Sequence, residues 1–361
     1  MFIVDAHEDI AWNALTFRRD YNGSALAIRS AEARTEIPRQ NGLAMLGRPE
    51  WLLGRVGVVF GTLFVAPCRS SLGAWDTQCY RDAAEAHKLA QAQLDYYHRL
   101  ADEEELFTII RTTADLDAVI QSWDSDDLAL RRIGIVVLME GADPISEPAE
   151  AEYWFEQGVR LIGPAWTGTR YSGGTGQPGP LTPLGHELLD VMADLGVVLD
   201  LSHLSEESFD QALDRFEGVA IASHANPRRM ADLKYPERAL TDAQIRALAA
   251  RDGVIGVVPF NRFLRTLWTA TDGKQAVTVQ RVADAIDHIF QVTGSSAHAG
   301  IGSDFDGGFG AESTPAEIDT VADLQTIAGA LHARGYAADD VERVMSANWL
   351  RVLREGLPAG G

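Results

Sequence analysis

Eight short apolar runs recur along the chain, and most of them are rich in Val and Ile without alternating polar residues. Continuous apolar runs of this length are typical of parallel strands that are buried on both faces. The runs cover residues 2–4, 56–65, 133–139, 159–165, 197–201, 219–222, 254–259 and 299–302. We therefore predict eight core strands.

Stretches with apolar residues at spacings of three and four lie between most of these runs and predict helices. The predicted helices cover residues 82–105, 149–157, 184–195, 205–215, 241–251, 279–291 and 320–335. Strand and helix alternate about eight times, which favours an α/β fold of the (β/α)₈ (TIM) barrel class over a doubly wound sheet.

Five of the predicted strands lead into residues that could bind a metal ion. These residues are His7 and Asp9 after the first strand, Glu140 after the third, His203 after the fifth, His224 after the sixth and Asp304 after the eighth. In an open sheet, polar strand ends converge at one switch point between two strands. Residues from five strands can meet only if the sheet closes, so the chemistry also predicts a barrel of the metal-dependent hydrolase type.

Two segments interrupt the alternation of strands and helices. Residues 18–49 are long and mixed in composition, and we expect them to cover the barrel mouth. Residues 168–183 are rich in Gly and Pro, which predicts an irregular loop at the active site. No internal repeat or linker stands out, so we interpret residues 1–361 as one domain with two insertions.

Composition and charge narrow the class of protein. The chain has 361 residues, of which 46% are hydrophobic and 23% are charged, as expected for a soluble globular enzyme. Its formal net charge of −21 would repel phosphate backbones and anionic lipid, so we expect neither nucleic acid nor membrane as a partner. No run reaches the ~20 apolar residues of a membrane span.

Two further features bear on the compartment. The N-terminus lacks a basic region, and its first apolar run leads directly into His7, which predicts a core strand and not a signal peptide. The only cysteines are Cys68 and Cys79. So low a count favours two reduced thiols in a cytoplasmic protein over a disulfide.

The candidate ligands are stronger evidence for a metal site together than each is alone. His7 and Asp9 are two residues apart and so lie on the same side of a strand, although alone this pattern is better explained by a hydrogen-bonded core histidine. Glu140 follows seven apolar residues, where an unpaired carboxylate would be costly to bury. Three of the nine histidines follow predicted strands. Two His–carboxylate groups bridged by Glu140 would hold two ions about 3.5–4 Å apart; zinc suits these ligands best, and cobalt, manganese and iron remain open.

Asp304 differs from the other candidates in its expected role. A carboxylate beside two cations can take a proton from water and return it to a leaving amine without binding metal. We predict this catalytic role for Asp304. Asp306 could either support the site or cap the next helix.

The segments DAHEDI, MEG, LDLSH, ASHANPR and GSDFDG, in this order, resemble the membrane (renal) dipeptidase family, the zinc peptidases of family M19. The resemblance spans nearly the whole chain and extends to SANWLRVL near its end. It implies a barrel with two zinc ions, one of them bound by His7, Asp9 and Glu140. The second zinc would be bound by Glu140, His203 and His224.

The resemblance also implies proton transfer by Asp304 and an arginine that binds the terminal carboxylate of the substrate. The matching arginine is Arg238, and its planar fork suits a carboxylate; Arg228 and Arg229 are the alternatives. One position departs from the family, because Trp166 stands where its dipeptidases carry a histidine after the fourth strand. An indole can donate one hydrogen bond but cannot become a cation. We therefore expect Trp166 to form an aromatic wall of the substrate pocket.

Together these features predict a cytoplasmic metallo-dipeptidase that hydrolyses the amide bond of dipeptides with water activated by two Zn²⁺ ions. The resemblance implies a homodimer. Because of Trp166, two alternatives stay open: a related amidohydrolase acting on N-acyl or D-amino acid substrates, and a non-catalytic metal-binding homologue. Barrel hydrolases of lactones or phosphotriesters are disfavoured, since many use HxH at the first strand and a lysine after the fourth.

Overall fold

Eight parallel strands form the centre of the molecule. They are taken from a computed structural model that describes residues 1–360. The strands are β1 (Ile3–Glu8), β2 (Val56–Phe64), β3 (Ile133–Glu140), β4 (Val159–Gly163), β5 (Val198–Asp200), β6 (Ala220–Ile221), β7 (Ile255–Val257) and β8 (Ala299–Ile301). Each coincides with one of the eight apolar runs.

The strands follow one another around a ring in the order of the chain. Hydrogen-bonded neighbours run from β6 through β5, β4, β3, β2 and β1 to β8 and β7. A parallel bridge between Ala222 and Ile255 joins the ends of this order and closes the ring. The predicted (β/α)₈ barrel is therefore confirmed.

Helices connect the strands on the outside of the barrel, and every predicted helical stretch contains one. The α-helices are Ile10–Phe17, Ala25–Glu32, Ile37–Gln40, Arg48–Gly54, Ala83–Glu103, Thr113–Ser122, Ala151–Glu156, Pro183–Leu195, Glu206–Arg215, Asp242–Ala249, Asn261–Leu264, Val279–Thr293, Gln325–Ala333, Ala338–Glu342 and Asn348–Gly356. None of these helices, within residues 1–360, is both long enough and apolar enough to cross a bilayer.

Further short strands do not belong to the ring of eight. Phe107–Ile109 pairs in parallel with Ile133–Ile135 at the start of β3. The segment 168–183 contains an antiparallel hairpin of Ser172–Gly174 and Gln177–Leu181. The segment 18–49 contains two helices and the start of a third. That the whole chain forms one domain stays a prediction.

Alternate side chains of the strands pack inside the barrel. They form one cluster with residues of the helices Thr113–Ser122 and Asn348–Gly356. Members of this cluster include Val4, Val58, Val136, Leu138, Leu161, Val198, Ile221, Leu116, Val119, Trp349 and Leu353. This apolar plug fills the barrel below the polar strand ends, so the candidate site is confined to one end of the ring.

The two cysteines form a disulfide, so the prediction of two reduced thiols is wrong. Cys68 follows the short strand Ala66–Pro67, and Cys79 begins the short strand Cys79–Tyr80. These two strands pair with each other in parallel. This pairing brings the two Cα atoms to 4.8 Å, within the range that a disulfide requires. The two cysteines are 11 residues apart in the sequence. The sequence did not indicate that they pair, because no apolar run marks either of the short strands.

The barrel interior predicts a large effect for a cavity-forming substitution. Leu161 on β4 is fully buried, whereas 78% of Leu53 is exposed. We expect Leu161→Ala to lower the free energy of unfolding by about 2–5 kcal/mol, because it removes apolar contacts and leaves a cavity. Leu53→Ala, the matched control, should change it by less than about 0.5 kcal/mol. Denaturant titration measures both values, and equal small losses would contradict this assignment of the core.

Candidate functional site

A bulge in β1 brings the first candidate ligand into the barrel. Val4 and Ala6 belong to the interior cluster, so strict alternation would turn His7 outward. Between Asp5 and Glu8, however, β1 advances three residues while β2 advances two. The extra residue breaks the alternation and allows His7 to face the interior.

Glu140 lies at the end of β3 and between two groups of imidazoles. Its Oε2 atom is 3.6 Å from Nε2 of His7. Its Oε1 atom is 3.2 Å from Nε2 of His203 and 3.3 Å from Nε2 of His224. One carboxylate therefore presents a different oxygen to each group, as a bridging ligand would.

The remaining candidates complete the cluster. Nε2 of His7 is 3.7 Å from Oδ2 of Asp9 and 3.9 Å from Oδ1 of Asp304. Nε2 of His203 lies 2.9 Å from Nε2 of His224. All six residues predicted from the five strand ends thus meet in one place. Asp304 is the most exposed among them, with 15% of its side chain accessible.

The donor atoms fit divalent metal ions. Within residues 1–360, Nε2 of His7 is buried without a hydrogen-bond partner, an arrangement that is costly unless another ligand satisfies the nitrogen. Donor atoms of His7, Glu140 and His224 lie within 4.8 Å of one another, as do those of His7, Asp9 and Asp304. Imidazole nitrogens with carboxylate oxygens are a ligand set that zinc prefers.

Charge in the cluster is distributed unevenly. Burial opposes the charged form of His7, but the surrounding carboxylates, Glu140 foremost, outweigh it and raise its pKa to about 9. Burial lowers the pKa of His203 and of His224, which keeps both as neutral imidazoles able to bind a metal. Burial also raises the pKa of Asp304 to about 7. A bound cation would replace the positive charge that the proton on His7 supplies to the carboxylates.

Hydroxyl groups outside the cluster orient the histidines. Nδ1 of His203 is 3.0 Å from Oγ1 of Thr175, and Nδ1 of His224 is 2.8 Å from Oγ of Ser223. The Ser223 hydroxyl also donates a hydrogen bond to Asp200. Such contacts fix the ring orientation and so direct both Nε2 atoms toward the cluster. Sequence reasoning missed these residues, because a Ser or Thr beside a strand end is too common to single out.

Asp306 anchors the loop that carries Asp304. Its fully buried carboxylate accepts hydrogen bonds from the Met45 amide at 2.9 Å and the Tyr21 hydroxyl at 2.7 Å, and it lies 3.0 Å from the Arg19 guanidinium. Asp304 and Asp306 have φ values of 59° and 63°, a conformation that costs free energy for residues other than glycine. The contacts of Asp306 hold this backbone, so Asp306 supports the site and does not cap a helix.

Arg238 is the arginine best placed to bind a substrate. It is 6% exposed, and its Nη1 donates to the carbonyl of His224 at 2.7 Å. Its Nη2 is buried without a partner in residues 1–360 and remains able to donate. Of the two alternatives, Arg228 is paired with Glu206 at 2.7 Å, and Arg229 is exposed.

A cavity of about 190 Å³ lies beside the cluster. Its apolar lining consists of Trp12, Phe64, Leu72, Trp166, Phe260, Phe263 and Phe309. The Trp166 ring packs edge-on against Phe64 at 5.1 Å and lies 6.1 Å from the His203 ring. Trp166 is therefore part of an aromatic wall next to the candidate metal ligands.

Comparisons with known proteins point to one family. The family model of the membrane dipeptidases (peptidase family M19) matches residues 1–357. An uncharacterised protein in the pqqA 5′ region of Klebsiella pneumoniae is 32% identical over 62% of this chain and 82% of its own. An uncharacterised dipeptidase of Schizosaccharomyces pombe is 30% identical, over 48% of this chain and 40% of its own.

Solved structures share the fold. A metallopeptidase from Rhodobacter sphaeroides, solved with a phosphinate mimic of the dipeptide L-Ala-D-Ala, superposes with a TM-score of 0.78. The match covers 99% of both chains at 23% sequence identity. The probable dipeptidase PvdM from Pseudomonas aeruginosa superposes with the same TM-score of 0.78 at 18% identity. This match covers 98% of this chain and 95% of the other.

The crowded loop after β8 predicts that a single methyl group disturbs the cluster. A Cβ atom at Gly307 would lie 2.2 Å from Oδ1 of Asp304 and 2.7 Å from Oδ2 of Asp9. We expect Gly307→Ala to weaken the binding of a divalent metal ion by about 10–100-fold, because both carboxylates must move. Competition with a chromogenic chelator measures this affinity. Gly329→Ala is the control, since a Cβ there meets nothing within 4 Å; equal affinities in the two variants would contradict the geometry.

Proposed function

The chain belongs to the membrane dipeptidase family (peptidase family M19), and on this premise we propose that it hydrolyses dipeptides at the cluster around Glu140. The observation that carries this proposal is the position of Glu140, whose two oxygens face separate imidazole groups at 3.2–3.6 Å. A shared carboxylate of this kind suits a pair of metal ions, and paired ions suit hydrolysis of an amide.

Two Zn²⁺ ions are the proposed cofactor. His7, Asp9 and Glu140 would bind one ion, and Glu140, His203 and His224 would bind the other. When bound, the ions would supply Lewis acidity and a water molecule with a pKa lowered to about 7. The mixed nitrogen and oxygen donors support zinc over the harder ions magnesium and calcium.

Arg238 binds the free carboxylate at the C-terminal end of the dipeptide in this proposal. Arg238 lines the cavity, and its Nη2 is buried without a partner in residues 1–360, so a substrate carboxylate bound there would satisfy this donor. Because this end is held a fixed distance from the cluster, the site selects short substrates.

Asp304 moves the proton in this proposal. Its carboxylate lies at the edge of the cluster, 3.9 Å from Nε2 of His7, and it lines the cavity in which a substrate would lie. It would accept a proton from the attacking water and deliver it to the departing amine nitrogen. The buried contacts of Asp306 hold the strained backbone that gives Asp304 this position.

Trp166 is the residue that makes the substrate preference an open question in this proposal. Trp166 lines the cavity, and its indole can donate one hydrogen bond but cannot become a cation. N-acyl and D-configured amino acid substrates are therefore useful comparisons in any assay. A homodimer remains part of the proposal, on the strength of the family alone.

The disulfide bears on the compartment in which the protein works. Cytosolic thiols are kept reduced by glutathione and thioredoxin, whereas disulfides persist in oxidising compartments. The Cys68–Cys79 bond therefore favours an oxidising compartment over the cytoplasm that the low cysteine count suggested.

Two substitutions separate metal binding from proton transfer. We expect Asp304→Asn to retain both metal ions while kcat for L-Ala-L-Ala falls by about 10²–10⁴-fold, because the amide cannot accept the proton. Glu140→Gln should lose metal as well as activity. Elemental analysis and a hydrolysis assay measure the two properties. Undiminished turnover by Asp304→Asn would remove this residue from the mechanism, and a wild-type protein that neither contains nor takes up metal would disprove the proposal.

The role of Arg238 predicts an effect on KM that depends on the substrate's carboxylate. We expect Arg238→Lys to raise KM for dipeptides by about 30-fold, because an ammonium cannot reproduce the paired donors of the guanidinium. C-terminally amidated dipeptides should be poor substrates of both proteins, with similar kinetics. Arg229→Lys serves as the control. A parallel loss on amidated substrates would instead assign Arg238 a structural role through its bond to His224.

A further inference from the structure

A second and larger cavity, of about 610 Å³, opens directly outside the first one. We call it the outer chamber. It shares with the inner cavity the residues Trp166, His203, Arg238, Phe260 and Phe263. The two cavities therefore meet at Arg238, the residue proposed to bind the C-terminal carboxylate.

The lining of the outer chamber is positively charged, whereas the protein as a whole is negatively charged. Besides Arg238 it includes three cationic side chains, Arg69, Lys234 and Arg262. No Asp or Glu lines it in the part of the chain that the structure describes. The whole chain carries 52 acidic residues against 31 basic ones and a net charge of −21. A cationic chamber on so acidic a protein is a local feature that general composition does not explain.

The three cations are not neutralised by acidic partners. Lys234 and Arg262 are exposed and make no ion pair within residues 1–360; the Lys234 ammonium lies 4.7 Å from the Tyr235 ring centroid. Arg69 donates to the carbonyl of Gly168 at 2.7 Å and to the side-chain oxygen of Gln177 at 3.4 Å, both of them neutral. Their positive charge is therefore available to a ligand.

Two acids lie close to Lys234 in the sequence, Asp232 and Glu237, and neither lines the chamber. Glu237 accepts a hydrogen bond from the Gly176 amide at 2.9 Å. Concave walls that carry one sign of charge concentrate the electrostatic potential, which raises the local concentration of ligands of opposite charge.

We propose that the outer chamber binds the side chain of the substrate's C-terminal residue and selects an anionic one. This inference rests on the proposed function. A dipeptide whose terminal carboxylate is held by Arg238 has its scissile bond toward the metal cluster. Its C-terminal side chain then lies at the junction with the outer chamber and extends toward Arg69, Lys234 and Arg262. The preferred substrates are dipeptides that end in aspartate or glutamate.

Pairs of dipeptides that differ only in the charge of the C-terminal side chain test this preference. Ala-Glu and Ala-Gln have nearly the same size and differ by one charge, as do Ala-Asp and Ala-Asn. With the zinc-loaded protein we expect kcat/KM to be about tenfold higher for the acidic member of each pair. The preference should weaken as ionic strength rises from about 0.05 M to about 0.5 M, because salt screens exposed charges.

Variants assign the preference to the chamber. Lys234→Gln and Arg262→Gln should each lower the ratio of Ala-Glu to Ala-Gln by about threefold, and the double variant should bring it close to one. Arg246→Gln is the matched control, because Arg246 is an exposed arginine on the helix Asp242–Ala249 and does not line the chamber. Its ratio should equal that of the wild type.

The outcomes separate this inference from the function on which it rests. Hydrolysis of Ala-Gln as fast as Ala-Glu overturns the acidic preference and leaves the dipeptidase proposal intact. An equal or greater preference for Glu-Ala over Gln-Ala overturns the assignment to the C-terminal residue. An acidic preference that survives the double variant assigns it to another surface. No turnover of any dipeptide by metal-loaded protein overturns the proposed function together with this inference.

Discussion

The position of the Glu140 carboxylate is the constraint on which the site depends. It lies at the end of a wholly buried strand, above an apolar plug, where an unpaired carboxylate would cost several kcal/mol. Its partners His7, His203 and His224 come from three other strands, and they reach it only because the ring of strands closes. Closure thus satisfies the buried acid, and the acid in turn makes a cluster in which separate oxygens face separate imidazoles. The (β/α)₈ architecture and the metal chemistry are consequences of the same geometry.

The segment 18–49, which precedes β2, stabilises the site as well as covering the barrel mouth. Arg19, Tyr21 and Met45 all contact the carboxylate of Asp306, and Arg19 is also paired with Glu32 at 2.9 Å. These contacts are buried, so they act in surroundings of low dielectric constant, where each hydrogen bond is strong and each unsatisfied partner is costly. They hold two left-handed backbone positions in the β8 loop, Asp304 and Asp306. Strain of this kind persists where the surrounding structure determines it, and here it fixes the direction of a carboxylate beside the cluster.

A substrate that approaches the site meets surroundings unlike the rest of the molecular surface. The protein as a whole is strongly acidic, but the outer chamber is lined by cations and aromatic rings. Further in, the cavity is walled by aromatic side chains, and its polar groups are the cluster and Arg238. In the proposed function, the sequence of cationic chamber, apolar wall and candidate metal ligands suits a small anionic molecule with one amide bond, since each part matches one part of such a ligand.

Apolar periodicity and the chemistry of strand ends were enough to predict the eight strands, the closed ring and the six side chains that form the cluster, because both signals are local in the chain. The predicted helices did not include several that the structure has, among them Ile10–Phe17, Thr113–Ser122 and Asn348–Gly356. Only the tertiary structure decided which partners lie close in space. It joined Cys68 to Cys79 through two strands too short to detect, turned His7 inward through a bulge, and left Arg238 with a free donor while pairing Arg228. Proximity between distant segments depends on how the ring closes, and a one-residue shift in register changes which side chains face one another.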